Sequence, residues 1–138
     1  MRHRRQSSRL GRSPSHQKAL LAGLVCALIK ERRIVTTIQK ARMARSLAEK
    51  TMTLAKSGAL AERRQAIQIL NNKQAVKILF ADLAPNYKDR FGGYCRILKT
   101  GSRRGDSSRM AILEWVGLNQ VDRKKKKPAE EVKKEAQS

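Results

Sequence analysis

Aromatic residues and acids are scarce in this sequence. The chain has two Phe, two Tyr and one Trp, which together make up 4% of its residues. Because proteins that read single-stranded RNA by base stacking need several exposed rings, this scarcity argues against a stacking platform. Asp and Glu number 11 against 32 Lys and Arg, which gives a formal net charge of +21. So large a surplus of positive charge predicts a polyanionic partner, either nucleic acid or an anionic membrane surface.

Cysteines and long apolar runs are also rare. Cys26 and Cys95 lie far apart, and neither has a partner at the spacing of metal ligands. We therefore expect both to be small buried apolar side chains rather than a disulfide or a nucleophile. The longest apolar run, Ala19 to Ile29, contains Gly23 and is shorter than the roughly 20 residues of a membrane span. Because no secretory apolar region follows Met1, the sequence predicts a cytoplasmic protein without a membrane anchor.

Signals of catalysis are missing. The sequence has no Walker loop, no GxGxxG and no HExxH motif, and its two histidines, His3 and His16, lie among arginines. Nearby positive charge disfavours protonation of a histidine, so neither is well placed as a base near neutral pH. Asp82, Asp89 and Asp106 are separate acids with basic neighbours, and we interpret them as local ion pairs or turn formers. We predict that the protein is not an enzyme and has no cofactor, metal or small-molecule substrate.

The chain opens with a basic arm. Residues 1–18 contain no acid, and Leu10 is the only aliphatic side chain after Met1. Burial of these few apolar groups cannot offset the entropy cost of ordering the segment. We therefore expect residues 1–14 to be disordered in the free protein and to become ordered on binding RNA. A mitochondrial transit peptide would need an amphipathic apolar face, which this arm does not have. The arm is therefore predicted to bind RNA.

The middle of the chain alternates between helical and strand patterns. Apolar pairs recur every four residues from Leu20 to Ile29 behind a Ser13-Pro14 start, which predicts the first helix. The short β-branched segment Arg33–Thr37 predicts a strand. Three further helices are predicted. The second runs from about Ile38 to Lys56, with Gly58 at its C-cap. The third runs from about Ala59 to Leu70, with Leu60, Ile67 and Leu70 on one face, and the fourth runs from about Lys73 to Leu83 and is stopped by Pro85-Asn86.

Two strands and a basic loop follow. Tyr94 to Lys99 and Arg109 to Leu118 read as strands, and the loop Thr100 to Ser108 between them makes a hairpin. Gly101 and Gly105 would let the loop turn tightly and approach a phosphate ridge, which arginine can recognise in a bidentate way. A dense positive patch is predicted at one end of the sheet, formed by Arg96, Lys99, Arg103, Arg104 and Arg109. We add two cations of the helices to the RNA-binding set, Lys18 and Lys40.

These elements predict an α+β fold. A small three-stranded sheet packs on the helices over residues 15–118, and a charged tail that includes Lys124 to Lys127 occupies residues 119–138, which we expect to be disordered. Two other functions fit the charge. A DNA-binding architectural protein would need a recognition helix or minor-groove wedges, and the Ala-rich second helix supplies neither clearly. A peripheral membrane protein would bind anionic vesicles through a basic amphipathic helix.

Short motifs spread along the chain carry a resemblance to known proteins. They are Met1-Arg2-His3-Arg4, Gly11-Arg12, Ser15-His16, Ile34 to Thr37, Lys40-Ala41, Thr53 to Lys56, Leu79-Phe80, Pro85, Asp89 to Lys99 without Cys95, Arg104-Gly105-Asp106 and Met110 to Ile112. With these motifs the sequence resembles the family of the seventeenth protein of the bacterial large ribosomal subunit. The resemblance covers about Met1 to Val116. Two departures are Cys95, where the family pattern usually has Thr, and the tail after Asn119.

That resemblance implies an α+β protein that binds large-subunit rRNA near the rim of the peptide exit tunnel. It also implies neighbouring large-subunit proteins as partners, including the thirty-second, and a place in the cytoplasmic ribosome. The expected mechanism is neutralisation of phosphates where rRNA helices pack closely, with little reading of base sequence. The leading RNA contacts that the resemblance implies are Arg2, His3, Arg4, Arg5, Arg9, Arg12 and His16.

Overall fold

The computed structural model describes residues 9–118, which form four α-helices and a three-stranded sheet. The order is helix, strand, three helices and two strands, so the predicted α+β fold is confirmed. Both ends of the chain, including the predicted disordered tail, lie outside the described residues. The helices are α1 (Pro14–Glu31), α2 (Ile38–Ser57), α3 (Leu60–Leu70) and α4 (Lys73–Ile78), and the strands are β1 (Arg33–Thr37), β2 (Cys95–Ser102) and β3 (Arg109–Trp115).

Local signals set the ends of the helices where the sequence predicts them. The Ser13 side chain accepts a hydrogen bond from the backbone N–H of His16, and Pro14 occupies the first turn of α1. Gly58 ends α2 with a φ of 74°, a left-handed conformation that glycine adopts without a Cβ clash. Asn71 ends α3 in the same left-handed region, and Asn72 caps α4 by accepting from the N–H of Ala75. The predicted C-cap at Gly58 and the break at the two asparagines are confirmed.

The α-helical part of the fourth helix ends at Ile78, before the predicted end at Leu83, and the helical path does not stop at Pro85 as predicted. After α4 the chain widens into a π-helical turn, Leu79–Leu83, and then tightens into a 3-10 turn, Ala84–Tyr87, that contains the proline. Proline is tolerated here because it sits in the first turn of the new segment, where its missing N–H has no helical partner to lose. The helical path therefore carries Tyr87 into the core, and it ends there.

Three details of the predicted pattern also differ. Leu60 is 62% exposed, because the residues that α3 buries are Ala66 and Leu70 in its second half. β2 runs to Ser102, past the predicted end at Lys99, so Gly101 belongs to a strand rather than to the loop. β3 stops at Trp115, three residues before Leu118.

The sheet is antiparallel with β3 in the centre, in the order β1-β3-β2. Its inner face buries Ala111, Leu113 and Trp115, which lie two residues apart on β3. Trp115 is the largest fully buried side chain, and its indole N–H donates to the carbonyl of Leu28 in α1 at 3.0 Å. This bond links the centre of the sheet to the first helix. It also gives the buried indole N–H an acceptor, which it would otherwise lack.

The helices pack closely because α2 presents small side chains to its neighbours. Ala41, Ala44 and Ala48 are completely buried, and Ala55 is 3% exposed. Helices α1 and α3 both pack against α2. Cys26 is 8% and Cys95 is 2% exposed, and neither forms a disulfide, so the prediction of two small buried side chains is confirmed.

Candidate nucleic-acid interface

One end of the fold gathers the start of α1, the start of α2 and the loop end of the β2–β3 hairpin. The side-chain amide nitrogen of Gln17 lies 3.8 Å from the sulfur of Met43, which places the first turn of α1 beside the second turn of α2. Arg42, next to Met43, lines a cavity together with Lys99 and Arg109 of the hairpin. Segments that are far apart in sequence thus bring cations to the same end of the molecule.

The cavity at this end, which we call the basic pocket, has a volume of about 290 Å³. Its cations are Arg42, Lys99 and Arg109, and none of the three has an ion-pair partner among residues 9–118. Three converging and uncompensated cations suit phosphate oxygens, which accept charge-assisted hydrogen bonds. The complete lining is Ile38, Arg42, Lys99, Gly101, Ser102, Arg109 and Met110.

A β-bulge in β2 shapes this pocket. Lys99 pairs with Ala111, and the next pair along the strand is Gly101 with Met110, so one extra residue is inserted in β2. Gly101 has a φ of 104°, a conformation that residues with a Cβ rarely adopt. Bulges bend a strand and change the direction of its side chains. Gly101, which the sequence assigns to a loop, therefore bends β2 where this strand borders the pocket.

The two arginines in the loop of the hairpin differ in whether an acid compensates their charge. Arg103 forms a fork with Asp106, donating from Nε to Oδ1 at 3.1 Å and from Nη2 to Oδ2. The backbone N–H and the hydroxyl of Ser108 donate to the same carboxylate. The bonds from Arg103 and then Ser108 hold the pKa of Asp106 well below its usual range, and the pairing raises the pKa of Arg103. The charge of Arg103 is thus compensated, whereas exposed Arg104 has no ion pair among residues 9–118.

Arg96 does not line the basic pocket. It lies on β2 three residues before Lys99, about 10 Å away along the strand at about 3.3 Å per residue. On the outer face of the sheet its guanidinium binds the carboxylate of Glu114, which also pairs with Arg33 at 3.3 Å. Glu114 is 8% exposed, and its charge needs these two partners. RNA contact by Arg96 stays a prediction.

The root of the arm is compact where the structure describes it. Arg12 donates from its backbone N–H to the carbonyl of Arg9, and its guanidinium donates to the carbonyl of Leu10 at 2.6 Å. Arg9, His16 and Lys18 are exposed, and Lys40 in the first turn of α2 is half-buried. These positions lie on the segments that begin α1 and α2, at the same end of the fold as the basic pocket. The predicted contacts Arg2, His3, Arg4 and Arg5 lie outside the described residues.

Arg42 is the cation that sequence reasoning left out of the predicted site. It lies on the ordinary charged face of an α-helix, and nothing in its local sequence separates it from its neighbours. Only the packing of α2 against the hairpin places it beside Lys99 and Arg109.

Metal sites and membrane-spanning helices are absent from the described part of the chain. Residues 9–118 contain no group of three or more His, Cys, Asp or Glu residues placed to hold a metal ion. Within the same residues, no helix combines the length and the apolar character needed to cross a bilayer.

Comparison with known proteins identifies relatives over most of the chain. The sequence profile of a family described as Ribosomal protein L17 matches residues 20–116. The chain is 46% identical over 138 residues to large ribosomal subunit protein bL17 of Bradyrhizobium diazoefficiens, covering 100% of this chain and 99% of the relative. It is 43% identical over 131 residues to the protein of that name from Methylacidiphilum infernorum, covering 94% and 100% respectively. A Rhodopseudomonas palustris protein of the same name is 48% identical over 116 residues, covering 84% of this chain and 85% of the relative.

Proposed function

We propose, from the premise that the chain belongs to the ribosomal protein L17 family, that it is a non-catalytic structural component of the large ribosomal subunit. In this role it binds large-subunit rRNA and takes part in translation as part of a ribonucleoprotein. Its cations neutralise phosphates where rRNA helices pack closely, and the release of counterions supplies much of the binding free energy.

The basic pocket is the observation that carries the RNA-binding part of this proposal. Arg42, Lys99 and Arg109 converge without an acid to neutralise them, and such a cluster repels itself until an anion enters. The pocket is formed by one helix and a hairpin, so its geometry is set before binding. It fits the backbone of a folded RNA, which proteins recognise by shape and phosphate position rather than by base sequence.

The arm extends the same interface. Arg9 and Arg12 lie at its root, next to α1 and therefore at the end of the molecule that holds the basic pocket. We propose that residues 1–14 form an RNA-binding segment attached to a domain of residues 15–118, and that Arg2, His3, Arg4, Arg5 and His16 add contacts along one RNA surface. Lys18, Lys40 and Arg104 enlarge this surface, and Arg103 contributes less because Asp106 compensates its charge.

The finer placement follows the family resemblance. We propose a position near the rim of the peptide exit tunnel, with neighbouring large-subunit proteins, including the thirty-second, as partners. The outer face of the sheet supports a protein neighbour, because Val35 is 65% and Leu98 is 38% exposed there. An exposed apolar strip of this kind is what a protein contact would cover.

A competition experiment tests the proposal. The purified full chain is titrated into large-subunit rRNA and into duplex DNA of matched length at the same salt concentration. We expect tighter binding to the rRNA, and a preference for the duplex DNA would instead support an architectural DNA-binding protein.

The same assay tests the basic pocket with a matched pair of triple variants. Arg42→Gln/Lys99→Gln/Arg109→Gln empties the pocket of charge, whereas Arg64→Gln/Lys73→Gln/Lys77→Gln removes three exposed cations from α3 and α4. The two variants have equal net charge, so a difference between them reports position. We expect the pocket variant to bind rRNA at least about tenfold more weakly than the control variant. Equal affinities would remove the pocket from the interface.

A further inference from the structure

Phe91 is the most exposed of the large apolar side chains among the described residues. It is 99% exposed, whereas Tyr87, Tyr94 and Trp115 are each buried to 3% exposure or less. A fully solvated phenyl ring forgoes the free energy that burial would give it. Such a ring on a loop at the protein surface is therefore a candidate contact with another molecule.

The loop that holds this ring is fixed by hydrogen bonds at both ends. The carboxylate of Glu49 in α2 accepts from the backbone N–H groups of Tyr94 at 3.1 Å and Cys95 at 3.0 Å. The ammonium group of Lys56, near the end of α2, donates to the carbonyl of Arg90 at 2.6 Å. Arg90 in turn donates from its side chain to the carbonyl of Gly92 at 3.1 Å. The ring is thus presented in a defined position, which lowers the entropy cost of binding to it.

Cations flank the ring. The Lys56 ammonium lies 5.6 Å from the ring centroid of Phe91 and 5.6 Å from that of Tyr94. Lys88 and Arg90 are exposed in the same loop, with Asp89 as the acid between them. The loop and Lys56 together therefore carry a net positive charge around one exposed aromatic face.

This combination points to one class of ligand. A nucleotide offers a flat base that can stack on the ring and a phosphate that can contact the cations. A hydrophobic protein contact would need a continuous apolar surface, but the chain neighbours of Phe91 are exposed Arg90 and Gly92. We propose that Phe91 stacks on an unpaired base of the rRNA, with Lys56, Lys88 and Arg90 holding the adjacent phosphates.

This contact is separate from the basic pocket. Ile38 lines the pocket at the start of α2, and Lys56 lies 18 residues further along the same helix. At about 1.5 Å per residue the two sites are about 27 Å apart. The inference rests on the proposed function, and it adds a second point at which the domain holds rRNA. A single ring is compatible with the scarcity of aromatics, because it binds one base and needs no row of rings.

The test uses substitutions of Phe91 in the full chain, with binding to large-subunit rRNA as the readout. Phe91→Ala removes the ring, Phe91→Leu keeps an apolar side chain without a π face, and Phe91→Trp keeps the π face. Leu60→Ala is the control, since it truncates another exposed apolar residue, which lies in the first turn of α3 and outside the proposed contact. All variants should unfold at the temperature of the parent chain because the altered side chains are solvated.

We expect Phe91→Ala and Phe91→Leu to weaken rRNA binding about five- to a hundredfold, and Phe91→Trp and Leu60→Ala to leave it within about twofold. The added tryptophan of Phe91→Trp should also lose fluorescence when rRNA binds, above the constant signal of buried Trp115. The slope of affinity against salt should stay unchanged in all four variants, because no charge is altered.

Two outcomes would overturn the inference while leaving the proposed function intact. One is strong rRNA binding by the parent chain with no loss in Phe91→Ala. The other is unchanged binding to bare rRNA with reduced incorporation into the subunit, which would assign Phe91 to a protein neighbour. If the parent chain itself fails to bind rRNA, the proposed function fails first.

Discussion

Removing the carboxylate of Glu49 should destabilise the domain more than any ordinary change at a helix surface. This side chain is 23% exposed, and it is the acceptor for the backbone N–H groups of Tyr94 and Cys95. Both of those residues are buried, at 3% and 2% exposure. In Glu49→Ala the two N–H groups lose their partner in a place that water reaches poorly.

The magnitude follows from these two bonds. A buried donor left without a partner costs about 1–3 kcal/mol. The limited access of water to this mostly buried site reduces the sum of the two costs, so we expect Glu49→Ala to lower the free energy of unfolding by about 2–4 kcal/mol. Small domains have about 5–15 kcal/mol in total, so the loss would be a large share of the stability. Glu49→Gln keeps one carbonyl oxygen as acceptor and should cost about half as much.

Urea unfolding followed by circular dichroism measures this loss, with Arg45→Ala as the matched control. Arg45 pairs with Glu49 at 3.8 Å in an exposed i,i+4 arrangement, and such pairs contribute about 0.3–0.5 kcal/mol. The control removes the ion pair and leaves the two backbone bonds intact. If Glu49→Ala and Arg45→Ala were equally destabilising, the ion pair would carry the effect and the reasoning from the backbone donors would be refuted.

Two further predictions concern charge and pH. Arg109→Gln should reduce the slope of log affinity for rRNA against log salt by about 0.7–0.9, which is the value for one phosphate contact. Arg103→Gln should change this slope less, because Asp106 already compensates the charge of that guanidinium. Equal slopes in the two variants would contradict the pairing of Arg103 with Asp106. Tyr87 donates its hydroxyl proton to the carbonyl of Val116 at 2.8 Å, and burial raises its pKa to about 12. Because an unfolded tyrosine ionises near pH 10, the stability that this proton confers is complete below about pH 10 and is lost as the pH rises toward 12. Ultraviolet titration should show this phenol ionising together with unfolding, and ionisation near pH 10 without unfolding would refute the assignment.

Segments with strong local signals were predictable from the sequence. The sequence predicts β1 at Arg33–Thr37 and the start of α1 at Ser13-Pro14, as observed. These predictions succeed because β-branched residues and a capping serine favour a strand and a helix start through local interactions. The end of the fourth helix was missed for the opposite reason. Burial of Leu83 and Tyr87 carries the helical path through Pro85, and that gain depends on what those residues pack against.

The candidate site was predictable in composition and only partly in arrangement. The sequence indicates Lys99 and Arg109 because they flank a basic hairpin, and both line the basic pocket. It cannot indicate Arg42, because the contact between α2 and the hairpin joins residues far apart in the chain. The sequence also cannot distinguish Arg103 from Arg104, because the bidentate pair between Arg103 and Asp106 forms only in the folded loop.

The predicted phosphate neutralisation is tested most directly by the salt dependence of rRNA binding by the full chain. Affinity for large-subunit rRNA is measured at several potassium chloride concentrations from about 50 to 200 mM. If the uncompensated cations contact phosphates, log affinity should fall linearly with log salt with a slope steeper than about −3, and the pocket triple variant should flatten it by about two. A slope near zero, or rRNA binding undetectable across that range, would contradict the account.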